Sequence, residues 1–248
     1  IYTMFLSIIH LGVIKMCDEN KHENDDSKNG SGPENVSTKM VNAPHNIHCL
    51  TIIGQIEGHM LLPPQTKTTK YENVIPTLAT IQEDSDIEGL LILLNTMGGD
   101  VEAGLAIAEM IASMSKPTVS LVLGGGHSIG VPLAVASMHS FIVPGATMTI
   151  HPIRMTGTII GSSQTYNYFQ KVQDRIVSFI ARNAKADKDE ILKLMLETDN
   201  IANDVGTILF GEEAVSHGII DSVGGLSDAL SKLYELIEKG GGNNNKQS

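Results

Sequence analysis

Short apolar runs and helix-period stripes alternate through the middle of this chain, while both ends carry neither pattern. Residues 50–54 form a first apolar run, followed by residues 89–94 (GLLILL), 117–123 (PTVSLVL), 140–143 and 147–150. Continuous Val, Ile and Leu runs of this length suit strands covered on both faces. Over residues 103–114 the apolar positions Leu105, Ala108, Ile111 and Ala112 recur at helical spacing, and Pro117 then stops the helix. A long helix is predicted over 164–184, with Tyr166, Phe169, Val172, Ile176 and Ile180 on one stripe. Asp187 with Glu190 reads as a capping box for a helix over 188–196. A short helix over 212–217 closes at Gly218, and Ser227 caps a last amphipathic helix through Leu233 and Ile237. Strands alternating with helices predict one α/β domain over residues 47–239. No internal repeat is present.

The flanks read differently. Residues 1–14 are an apolar run ended by Lys15, too short for a bilayer span of about 20 residues. The run also lacks the basic start and small-residue cleavage site of a signal peptide. Residues 1–15 therefore read as an extension upstream of a start at Met16, and no stable membrane insertion is expected. Residues 16–46 are polar and acidic, too poor in large apolar groups to offset chain entropy, and are expected to be a disordered tail. Residues 240–248 (GGGNNNKQS) carry the same expectation.

Composition narrows the classes. Hydrophobic residues make up 42%, enough for a substantial core, but aromatics are 4% and Trp is absent, so that core is aliphatic. A formal net charge of −11 without any Lys/Arg cluster argues against a nucleic-acid partner. Two cysteines, Cys17 and Cys49, cannot make a disulfide framework, and a reducing, cytoplasmic setting follows. No metal or cofactor motif stands out.

Three segments carry candidate chemistry. In LVLGGGHSIGVPLAVA (121–136) an apolar strand meets three glycines and then His127-Ser128-Ile129-Gly130 before a small-residue helix. The glycines permit a sharp turn and close approach of a substrate backbone, and a serine at a helix mouth has amides that can stabilise an oxyanion. A serine there is also the usual N-cap. His127 reads as a turn or lining residue, because adjacent side chains on a turn point apart. In LILLNTMGGDV (91–101) a buried strand ends in Gly98-Gly99 just before a helix, either a plain glycine turn or a pair of exposed amides. In TMTIHPI (147–153) His151 closes an alternating strand and is held extended by Pro152, a suitable place for a positioned base or for a structural histidine.

The order of these segments resembles the proteolytic subunits of the Clp protease family. Their blocks are a Ser/Pro-Gly-Gly loop, a Ser-Met-Gly nucleophile turn and an Ile-His-Gln-Pro strand end. Gly54 to Met60 (GQIEGHM) resembles that family's Gly-Gln-Val-Glu-Asp-His-Met, and Glu213 to Asp221 (EAVSHGIID) its Glu-Ala-Val ending. The resemblance covers residues 48–238. It implies a ClpP/crotonase-type α/β fold of stacked βαβ units, with the 164–184 helix and residues 157–163, including Ile159 and Ile160, as a protruding helix–strand handle.

The resemblance also implies roles. Ser128 would be the nucleophile of a serine endopeptidase and His151 its base. The amides of Gly99 and Ile129 would hold the oxyanion, with Gly98 and Gly126 in the substrate-binding strip. Asp204 would orient the imidazole, with Asp199 as the alternative, because the Asp204–Glu213 spacing is longer than the family's. No metal or other cofactor is implied. The implied partners are protein or peptide substrates, further copies of this chain in a ring or double ring, and an AAA+ ATPase unfoldase.

Met97 in place of the family's proline, and a polar stretch over 61–73 that reads as an inserted loop, resemble the translocation-enhancing branch of this family. They also put ATPase docking in question. Three rival readings remain. The G-x-S-x-G of an α/β-hydrolase would need His217 as its base. A crotonase-type acyl-CoA enzyme would share the fold without needing the Ser/His pair. An inactive ring-forming scaffold would keep the fold alone.

Overall fold

The structure, a computed structural model, describes residues 44–154, 161–199 and 205–244. Strands β1 (Ile47–Glu57), β2 (Thr68–Lys70), β3 (Gly89–Gly99), β4 (Thr118–Gly126), β5 (His139–Ile142) and β8 (Ser222–Val223) form one parallel sheet in the order β2-β1-β3-β4-β5-β8. Two further strands lean off it. β6 (Thr147–Ile150) touches β4 through Gly125 and Thr147, and pairs antiparallel with β7 (Thr207–Phe210).

Period-two alternation along β3 sorts its side chains between two cores. Leu90, Ile92 and Leu94 enter the larger one, with residues of α1 (Tyr71–Glu83) and α2 (Val101–Ser113). Leu91 enters the smaller one, where Val119, Leu121 and Phe141 meet Ala229, Leu233 and Ile237 of α7 (Leu226–Asn244). Both faces of the central strands are thus covered, as their unbroken aliphatic runs imply, and each buried Leu or Ile contributes about 1.5–3 kcal/mol. The remaining helices are α3 (Gly130–Val135), α4 (Ser162–Asn183), α5 (Lys188–Leu196) and α6 (Gly211–Ser216). No helix among the described residues is long and apolar enough to cross a membrane.

Several sequence expectations need correction. The polar 61–73 stretch is not all loop: it includes β2 and the start of α1. That helix carries Pro76 in its second turn, where proline ordinarily argues against a helix, yet Val74, Leu78 and Ile81 bury a stripe strong enough to hold it. Just ahead of residue 47, Asn46 donates to Glu88 and to the Asp86 carbonyl. At the other end α7 runs to Asn244 through glycines read as tail; once an amphipathic helix is nucleated, each further residue adds a bond.

Ser227 is already inside that helix, and Asp228 accepts from the Gly225 amide instead. The box before α5 is half formed. Asp187 accepts from the Glu190 amide, but the Glu190 carboxylate lies 2.7 Å from His217 Nδ1. Of the handle, α4 is present, whereas residues 157–160 lie outside the described residues.

Candidate active site

Two irregularities in the sheet open a space at the carboxyl ends of β3 and β4. Between β1 and β3 the register slips: Gly54 faces Thr96 but Gln55 faces Gly98, leaving Met97 as a bulged extra residue, 66% exposed. Between β3 and β4 the register slips again, so that Thr96 faces Gly126. Thr96 ties the junction together. Its hydroxyl donates to the Gly54 carbonyl at 2.6 Å and accepts from the Gly98 amide at 3.0 Å, and its carbonyl accepts from the His127 amide at 3.1 Å.

Beyond Gly126 the chain turns sharply into α3. The Ser128 amide donates to the Thr149 carbonyl at 2.8 Å, the Gly130 amide to the His127 carbonyl at 2.8 Å, and the Val131 amide to the Ser128 carbonyl at 3.0 Å. These bonds hold Ser128 at φ 57°, the one left-handed non-glycine among the described residues. A conformation of that kind costs about 1–3 kcal/mol and persists only where surrounding bonds impose it. Ser128 is therefore not a simple helix cap: Ile129 occupies the N-cap position, and Ser128 Oγ makes no hydrogen bond among the described residues. The Ile129 amide likewise finds no acceptor there. With six residues α3 has little macrodipole to offer, so any anion stabilisation rests on individual amides.

Ser128 and His151 line one cavity of about 270 Å³, together with Gly99 and Ile129. The rest of its wall is mostly apolar, including Met97, Val131, Ile176, Ile180 and Met195. His151 follows β6 directly, and its Nδ1 lies 2.6 Å from the Pro152 carbonyl oxygen. A carbonyl only accepts, so Nδ1 carries a proton, and in the neutral ring Nε2 keeps its lone pair. That is the tautomer a base needs if it is to take a proton at Nε2.

The remaining predicted residues divide. Gly98, at φ 91°, is buried behind Ser128; a Cβ added there would lie 2.7 Å from Ser128 Cβ. Gly126 is not at the cavity. It is buried opposite Thr96, facing Val122 and Met148, because the β3–β4 ladder still holds it. Asp204 lies outside the described residues. Asp199 is exposed, and its amide donates to Glu197. Among the described residues no carboxylate comes within ion-pair distance of His151. His217, the base an α/β-hydrolase would require, pairs with Glu190 and does not line the cavity.

Sequence reading did not single out Thr96, Thr149 or Gly206. Gly206 has φ 132°, and a Cβ there would stand 2.8 Å from His151 Cβ and 2.4 Å from the Ile150 carbonyl oxygen. A Gly two residues after a predicted acid, ahead of an apolar β7, was the available signal.

A parallel sheet with a bulged third strand, a left-handed serine turn and a histidine across one cavity defines a ClpP-like α/β protein. The sequence model of the Clp protease family matches residues 44–226, and the chain belongs to that family. It is 60% identical over 194 residues to the translocation-enhancing protein TepA of Halalkalibacterium halodurans, covering 78% of this chain and 76% of that one. Identity to the ATP-dependent Clp protease proteolytic subunit is 27% over 171 residues in Streptococcus pyogenes (66% of this chain, 83% of that one). In Leuconostoc citreum it is 22% over 175 residues (66% and 81%).

Proposed function

We propose that this chain is a serine endopeptidase that cleaves unfolded or delivered polypeptides, with Ser128 as nucleophile and His151 as general base. The observation that carries the reading is the left-handed Ser128 sharing a cavity with a histidine whose Nδ1 is already committed to the Pro152 carbonyl. Ser128 Oγ attacks the scissile carbonyl as its proton passes to His151 Nε2. The amides of Gly99 and Ile129 receive the oxyanion, and His151 returns the proton to the leaving amine. Asp204 completes the triad, since Asp199 is exposed and does not come within ion-pair distance of His151, and the Pro152 carbonyl supports the tautomer-fixing part of that task. The reaction calls for no metal or other cofactor.

The chain acts as a homo-oligomeric ring or double ring in the cytoplasm, where an AAA+ ATPase unfoldase is a partner to test. A role beside protein translocation is supported by the name of its relative, the translocation-enhancing protein TepA. The test is hydrolysis of a fluorogenic peptide with an apolar residue before the scissile bond, by the wild type and Ser128→Ala. Loss of turnover by up to ~10⁶-fold is expected for loss of a triad serine. Equal turnover in both would overturn the assignment. Light scattering tests the assembly, and a clean monomer contradicts the ring.

A further inference from the structure

His127 stands immediately before Ser128, half-buried, with Nδ1 at 2.8 Å from the Thr149 hydroxyl. Thr149 thus holds this turn twice, once through its carbonyl on the Ser128 amide and once through its hydroxyl on the His127 ring. Two residues on, just past the end of the strand, the chain presents His151. The segment carrying the serine and the segment carrying the histidine therefore meet at one residue. The backbone bonds would form with any residue at 127, whereas the ring–hydroxyl bond needs a histidine or its close mimic. The far edge of the ring lies over Gly125, where a Cβ would come 2.6 Å from Nε2, so the ring sits where only a glycine leaves room for it.

We propose that His127 is a positioning residue, a clamp that fixes the Ser128 turn to β6 through Thr149, and that its protonation slows the reaction of the Ser128–His151 pair. The proposal rests on the peptidase reading above and adds a residue to it. Around the ring, β3 brings Asn95 and Thr96, β4 brings Gly125, and β6 brings Thr149, none of which titrates. Among the described residues His151 is the ionisable group whose charge reaches it. Burial first, and the His151 charge second, hold His127 below the ordinary histidine range. His127 is therefore neutral at neutral pH and charged only in more acidic solution. When Ser128 Oγ bonds to the phosphorus of a fluorophosphonate, the P–F bond breaks and fluoride leaves, while the Oγ proton moves to His151 Nε2 and an imidazolium forms. A charged His127 beside it disfavours that imidazolium. His127 itself neither gains nor loses a proton in the step.

The experiment is the rate of fluorophosphonate labelling from about pH 5 to pH 8, a range spanning histidine titration. It compares the wild type with His127→Ala, Thr149→Val and His127→Asn, the last keeping a polar atom near the Nδ1 position without a titrating ring. At the alkaline end His127→Ala and Thr149→Val should lose about tenfold, the weight of one hydrogen bond, and His127→Asn should recover most of it. At the acid end the wild-type rate should fall more steeply than that of His127→Asn. An alanine variant as fast as wild type, or an asparagine variant whose acid limb is as steep as the wild type's, overturns the clamp.

Should the wild type take no label at all, the peptidase reading fails, and the clamp is judged on histidine-ring NMR. His151→Gln should then raise the His127 titration midpoint, and Thr149→Val should shift the His127 ring resonances. No change in either would overturn the clamp.

Discussion

Gly98→Ala tests the packing behind the proposed nucleophile without removing any group that reacts. A Cβ at this position would lie 2.7 Å from Ser128 Cβ, 2.8 Å from the His127 carbonyl oxygen and 3.3 Å from Ser128 Oγ. The first two are not the free ends of flexible side chains; they belong to a turn pinned by its bonds to Thr96 and Thr149. Gly98 also sits at φ 91°, where a side chain adds about 1–2 kcal/mol. Overpacking of a well-filled site adds about 1–3 kcal/mol.

Together these give roughly 2–5 kcal/mol of lost stability, or a turn that yields by several tenths of an ångström and displaces Ser128 Oγ. A displacement approaching 1 Å costs about 10²-fold in rate. Thermal unfolding and fluorophosphonate labelling read the two outcomes separately, so the methyl must register in one or the other. Gly145→Ala is the control, since nothing lies within 4 Å of a Cβ there. A Gly98→Ala protein that matches wild type in both melting temperature and labelling rate would refute the packing argument.

Further outcomes follow from the same geometry. Gly206→Ala should push on the Ile150 carbonyl and His151 Cβ from φ 132°, slowing labelling by about 10²-fold, measured beside its melting temperature. Asp221 ties β5 to β8: burial raises its carboxyl, but the Ser140 amide and hydroxyl, Lys185 and His139 outweigh burial and leave it below the ordinary range. Its stabilisation is therefore present above the usual carboxylate pKa and is lost as pH falls through the lower folded value. Asp221→Asn should cost about 2 kcal/mol in denaturant unfolding at pH 7, and the gap to wild type should close in acid. A gap independent of pH would contradict this.

Much of the fold was legible because its strands are unbroken aliphatic runs and its helices keep clean stripes. β6 and α5 fall on their predicted residues. Ser128, the Gly98-Gly99 turn and His151 stood out locally but stayed open to structural readings, and the resemblance to the Clp family assigned their roles and added Ile129; Ser128, His151, Gly99 and Ile129 meet at one cavity. What escaped was non-local. α1 was hidden by Pro76, and the strand ends ran past their apolar cores into polar and glycine residues, as β3 does to Gly99. Thr96, Thr149 and Gly206 matter through partners far along the chain, and a threonine in a strand carries no mark of the hydrogen bond it will make. Where Gly126 sits was hidden for the same reason, since its burial opposite Thr96 is decided by the β3–β4 register.

The most direct measurement is to react the protein with a fluorophosphonate and locate the adduct by peptide mass spectrometry. A single adduct on Ser128, absent from Ser128→Ala and formed far more slowly in His151→Ala, is the predicted result. An adduct on another serine such as Ser222, or equal labelling of Ser128 with and without His151, would contradict the account.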